Sequence, residues 1–98
     1  MHNLLSQLRN HSPAAVTGVA DQGEHLRIEL RYGQVVGTVL CRKTTPLGRG
    51  DVVFLHNGGT SEIDGSSPAE RARVIVEHMA AQGARWTSRT GHWTDQSL

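Results

Sequence analysis

Residues 25–32, His-Leu-Arg-Ile-Glu-Leu-Arg-Tyr, alternate strictly between polar and apolar. Only a half-buried strand has that period, with Leu26, Ile28, Leu30 and Tyr32 on one face and His25, Arg27, Glu29 and Arg31 on the other. Gly33-Gln34 follows and suits a type II′ turn, because Gly at the first central position accepts positive φ, and Val35-Val36 resumes an apolar pattern beyond it. A two-residue turn pairs Tyr32 with Val35. It thereby assigns every residue of both strands to a face, since a slip of one residue would invert them all.

Around this hairpin the rest of the chain can be parsed. Residues 2–10 read as a short helix with Leu4, Leu5 and Leu8 on one stripe, stopped ahead of Ser12-Pro13. Residues 16–19 read as a short strand, 35–43 as the second clear strand and 52–56 as the third; Pro46, Gly48 and Gly50 make 44–51 a loop. Ser67-Pro68-Ala69-Glu70 combines a capping box with Pro at the first helical position. Ala72, Ile75, Val76, Met79 and Ala80 then form an apolar stripe at helical spacing, with Gly83 as a left-handed stop. Glu70, Arg71, Arg73, Glu77 and His78 are assigned to the solvated face of that helix.

The expected fold is α+β: an antiparallel sheet of three to five strands packed on one face by a C-terminal helix, with a short N-terminal helix. One domain covers 1–98, divided into a helix or arm at 1–12, strands over 16–56, a polar loop at 57–66, a helix at 67–83, and a last strand with Trp86 buried followed by a frayed tail at 84–98.

The register then separates the faces. Leu26, Ile28, Leu30 and Tyr32 lie opposite Cys41, Val39, Gly37 and Val35, and Phe54 and His56 join them if Lys43 lies near Val52; that face is the core. The other face carries polar groups, yet the same register places Val36, Leu40, Val53 and Leu55 there, with Arg27, Arg31 and Arg42 around them. An apolar patch rimmed by arginines is the composition of a protein contact surface, unless the first helix or the tail through Trp86 and Trp93 folds over it.

Composition narrows the function. A net charge of +1 gives no long-range attraction to polyanions, although nine of the ten basic residues are Arg, which suits paired and partly desolvated contacts. A hydrophobic content of 37% is low for a self-sufficient globule, which disorder at an end or burial against another chain would each account for. Cys41 is the single cysteine, no apolar run approaches a membrane span, and the first residues do not resemble a secretory signal, so a reducing cytoplasm is the expected setting.

Specific chemistry finds little support. His2, His11, His25, His56, His78 and His92 have no pair at the short spacing zinc sites use, so no metal or other cofactor is expected. Cys41 and His56 share a face in adjacent strands, the one pair that could serve a nucleophile, but nothing is placed to orient the ring and Cys41 reads as a core residue. The order helix, three strands, helix resembles that of double-stranded-RNA-binding domains, but Ser67-Pro68-Ala69-Glu70 lacks the lysine cluster those domains present to phosphate, so the likeness is one of topology. The expected function is a small non-enzymatic binding module, an accessory protein of a bacterium or phage acting by protein contact or homodimerisation. The alternative is nucleic-acid binding through Arg42, Lys43, Arg49, Arg85, Trp86, Arg89 and Trp93, cations interleaved with stacking aromatics.

Overall fold

The computed structural model describes residues 3–56 and 59–89. Five strands, β1 (Ala15–Asp21), β2 (His25–Tyr32), β3 (Val35–Arg42), β4 (Val52–His56) and β5 (Gly59–Glu62), form one antiparallel sheet in chain order, flanked in sequence by α1 (Leu4–His11) and α2 (Pro68–Arg89). Five strands therefore stand between the helices. The order of a double-stranded-RNA-binding domain is not kept.

The β2–β3 hairpin has the expected register, from Tyr32 opposite Val35 to His25 opposite Arg42. Gly33 has φ 63° and no other residue type has a positive φ among the described residues, so the turn is II′ rather than I′. β4 is set two residues away from the expected position, with Val52 opposite Cys41 instead of Lys43. The β3–β4 pairing ends two residues earlier than expected, so the connection runs over 42–51: the Arg42 amide donates to the Asp51 carbonyl at 2.9 Å, and the Asp51 carboxylate accepts from the Gly48 amide at 2.6 Å and from Thr44 Oγ1 at 3.3 Å, folding the loop on itself. A shift of two preserves faces, and Phe54 is fully buried as expected.

Two expectations about the chain's second half are overturned. Residues 57–66 contain β5 rather than only loop; its Gly-Thr-Ser-Glu sequence has no apolar alternation, and backbone pairing along the β4 edge forms it. The strand also delivers Ile63 to the core, its amide bonded to the Val52 carbonyl at 2.9 Å. Helix α2 does not stop at Gly83 but continues to Arg89, so residues 84–88, with Trp86, are helical and form no last strand. One glycine costs a helix only about 1 kcal/mol, and Ala80, Ala81, Gln82, Ala84 and Arg85 around it are all strong helix formers. The expected frayed tail with Trp93 lies outside the described residues.

Helix α2 starts where its capping box directs, whereas α1 runs Leu4–His11 instead of the expected 2–10, its start set by a cap at Asn3. Asn3 Oδ1 accepts from the Ser6 amide at 2.9 Å to cap α1, and Ser67 Oγ accepts from the Glu70 amide at 3.1 Å to cap α2. The Glu70 carboxylate reaches one residue beyond the usual box, accepting from the Ser66 amide and hydroxyl. Leu4 and Leu8 from α1, and Ile75 and Met79 from α2, pack with Ile28, Leu30, Val39, Val52, Phe54 and Ile63 into one cluster of fully or nearly fully buried side chains. Both helices thus cover the same face of the sheet, and neither lies over the other.

The open sheet face as a candidate contact site

Pairing across the sheet builds in rows the face that neither helix covers among the described residues. Arg27, Leu40, Val53 and Glu62 lie in register from β2 to β5; Glu29, Thr38, Leu55 and Thr60 form the next row; Arg31 and Val36 the one beyond. Strands about 4.8 Å apart put neighbours in a row in contact, so Leu40, Val53 and Leu55 form a continuous patch. Each of these three is partly exposed, and Val36 at the edge is 65% exposed.

The polar groups around the patch are ordered by one another. Arg27 Nε donates to one oxygen of Glu29 and Thr38 Oγ1 to the other, each at 2.7 Å, and these bonds hold the Glu29 carboxyl below the usual carboxylate range. Arg31 donates to the Gly33 carbonyl at 3.3 Å and has no acidic partner among the described residues. Arg42 is the exception in the expected rim: its guanidinium reaches Glu24 at 3.2 Å and Asp51 at 3.7 Å, so it is engaged at the end of the sheet. The six other residues assigned to the contact, Arg27, Arg31, Val36, Leu40, Val53 and Leu55, come together on this face. Glu62 is an addition that the sequence does not announce. It completes the first row from a segment expected to be loop, is exposed, and has no ion-pair partner among the described residues.

The residues of the nucleic-acid alternative are not brought into one stripe. Lys43 Nζ is 2.6 Å from Asp21 and Arg42 is paired as above, while Arg49 is exposed in the loop beside the start of α2. Arg85, Trp86 and Arg89 belong to the far end of that helix, about 14 residues or ~21 Å of helix beyond the turn that contacts the loop. Trp93 lies outside the described residues.

Cys41 and His56 also separate. They share the core face, but continuing the register sets His56 opposite position 37, four residues along β3 and about 13 Å from Cys41. His56 Nε2 instead lies 3.1 Å from Ser61 Oγ, and its ring stacks with that of His78 at 6.5 Å between centroids. Burial pushes the Cys41 thiol up, the Arg71 charge opposing and the Asp51 charge adding to the shift, and its Sγ donates to the Arg42 carbonyl at 3.4 Å. Modification of Cys41 by a maleimide at neutral pH should be slower in the native protein than in denaturant by roughly 100-fold; equal rates would show an accessible thiolate instead.

Arg71 is the one buried charged side chain among the described residues, 3% exposed, and not on the solvated helix face as expected. Its guanidinium donates to the carbonyls of Ile63 at 2.6 Å, Leu47 at 3.2 Å and Gly48 at 3.0 Å, with Asp64 at 4.0 Å. Position 71 precedes Ile75 by four residues and so lies on the core stripe, where the carbonyls satisfy its head; His78, also expected on the solvated face, is half-buried too, its ring centroid 6.2 Å from that of Phe54. A cavity of about 210 Å³ adjoins it between the loop and the start of α2. Both terminal nitrogens of Arg71 are already committed to backbone carbonyls.

Among the described residues no group of His, Cys, Asp or Glu is arranged to hold a metal ion, and no helix is long and apolar enough to cross a membrane. Compared with protein families, curated proteins and solved structures, the chain matches none. Geometry alone therefore carries the functional conclusion.

Proposed function

We propose that this chain is a small non-enzymatic binding module that works by protein contact through the open face of its sheet, in a reducing compartment such as the cytoplasm. The observation that carries the reading is the placement of both helices on one side, which leaves Leu40, Val53, Leu55 and Val36 contiguous and facing outward. Apolar residues in a strand facing water contribute little to stability, whereas the same residues against a partner supply the dry centre of an interface. Arg27, Arg31, Glu29 and Thr38 supply groups able to bond across its edge.

Leu40→Glu separates this face from the core. At sub-micromolar concentration the wild-type protein should enhance the fluorescence of an anilinonaphthalene sulfonate dye, an apolar probe with an anionic end suited to the arginines. Leu40→Glu should abolish that enhancement while leaving the circular dichroism native and stability changed by less than about 1 kcal/mol. A wild-type protein that ignores the dye, or a Leu40→Glu variant that unfolds, would show that the patch is covered by the chain itself.

A further inference from the structure

We infer that the partner of the open face is a second copy of this chain, turned about a two-fold axis parallel to the strands so that Arg27 of each copy meets Glu62 of the other. The inference rests on the contact reading above and adds the identity of the partner. It comes from the charge order along one row: cation, Leu40, Val53, anion, running from β2 to β5. Rotation about an axis between β3 and β4 exchanges β2 with β5 and β3 with β4 while keeping each row in place. Leu40 then lies over Val53 of the second copy and Leu55 over its Thr38, and an Arg27–Glu62 pair closes each side of the apolar centre. Such a contact is self-complementary, as an isologous interface must be.

Free valences on the face agree with this arrangement. Arg27 commits Nε to Glu29, leaving its two terminal nitrogens for a second acceptor, and Glu62 has no cation among the described residues. An axis running across the strands would keep β5 over β5 and leave Glu62 without one. Sheets packed face to face lie about 10 Å apart, a gap that Arg and Glu side chains span together. A net charge of +1 adds little repulsion between copies. Four strands of about six residues make a footprint of roughly 400 Å², below the ~800 Å² per partner of a standard interface, so association belongs at roughly tens of micromolar.

The test is a pair of charge reversals read by sedimentation equilibrium from low to several hundred micromolar protein. Wild type should approach twice its 10.7 kDa chain mass at the upper end. Arg27→Glu and Glu62→Arg alone, each folded by circular dichroism, should associate at least ~10-fold more weakly, since each brings like charges together twice. Mixed in equal amounts they should recover dimer close to the wild-type level. In the mixed dimer the carboxylate introduced at position 27 of one copy meets the guanidinium introduced at position 62 of the other, and the second contact is the unaltered Arg27–Glu62 pair. A wild-type protein that stays monomeric throughout, single variants that still dimerise as wild type does, or a mixture that does not recover, overturns the inference. Dye binding that is normal in wild type and lost in Leu40→Glu would then leave the face as a site for a different protein. Failure of the dye experiment as well would remove the face from consideration.

Discussion

Gly37→Val should lower the stability of this protein by about 3 kcal/mol, enough to move the midpoint of thermal unfolding by more than ~10 °C. Gly37 lies on the core face of β3 opposite Leu30, and the Phe54 ring from β4 crosses directly over it; a Cβ built at Gly37 would come within 2.6 Å of the Phe54 Cζ. Phe54 is fully buried, so its ring has nowhere to move without displacing the core contacts under α2. The clash begins at Cβ, and Gly37→Ala should already carry most of the loss. Chemical denaturation of the single and double variants checks the cause: Phe54→Leu, which removes the ring, should recover part of the loss in the Gly37→Ala background, giving a coupling energy of at least ~1 kcal/mol. Additive effects would show that the ring is not what excludes a side chain at position 37.

Arg71→Met is the second large expected loss, about 3 kcal/mol, despite replacing a buried charge with an apolar chain of similar length. The Arg71 guanidinium gathers three carbonyls from two separate segments, Ile63 after β5 and Leu47 and Gly48 in the β3–β4 loop. Without it the buried Ile63 carbonyl loses its donor, and the loop that presents Leu47 and Gly48 loses its tie to α2. Arg71→Lys should recover less than half, because one ammonium cannot match a planar fork set on three acceptors. Amide hydrogen exchange locates the effect: residues 44–51 and 63–65 should lose protection first in Arg71→Met, while β2 and β3 lose it only with global unfolding. Uniform loss, or stability equal to wild type, would contradict the role of Arg71 as a clamp.

These two positions show what the sequence carries and what it withholds. The hairpin is legible because alternation and a two-residue glycine turn act over neighbouring positions, and the faces of β2, β3 and β4 follow from parity even though β4 sits two residues from where the loop is expected to leave it. The start of α2 is legible for the same reason, its signals lying within four residues. Its end is not. A glycine signals a stop only when the chain beyond cannot continue the helix, and residues 84–89 can. β5 and the burial of Arg71 escape a sequence reading because what forms them lies far away along the chain: an exposed backbone edge on β4 for the one, three carbonyls up to 24 residues distant for the other. The candidate site inherits both properties. Its apolar centre follows from the hairpin, whereas the charge order from Arg27 to Glu62 appears only once β5 is paired.

Methyl resonances read directly which side chains meet solvent on the open face, the point on which the contact surface stands or falls. A soluble paramagnetic agent should broaden the methyls of Val36, Leu40, Val53 and Leu55 in dilute protein, and less so as concentration rises and copies associate, while Ile28, Leu30 and Val39 stay unaffected throughout. Outer-face methyls shielded to the same degree as Leu30 even at the lowest concentration would mean that the chain covers its own sheet on both sides, and would contradict an open contact face.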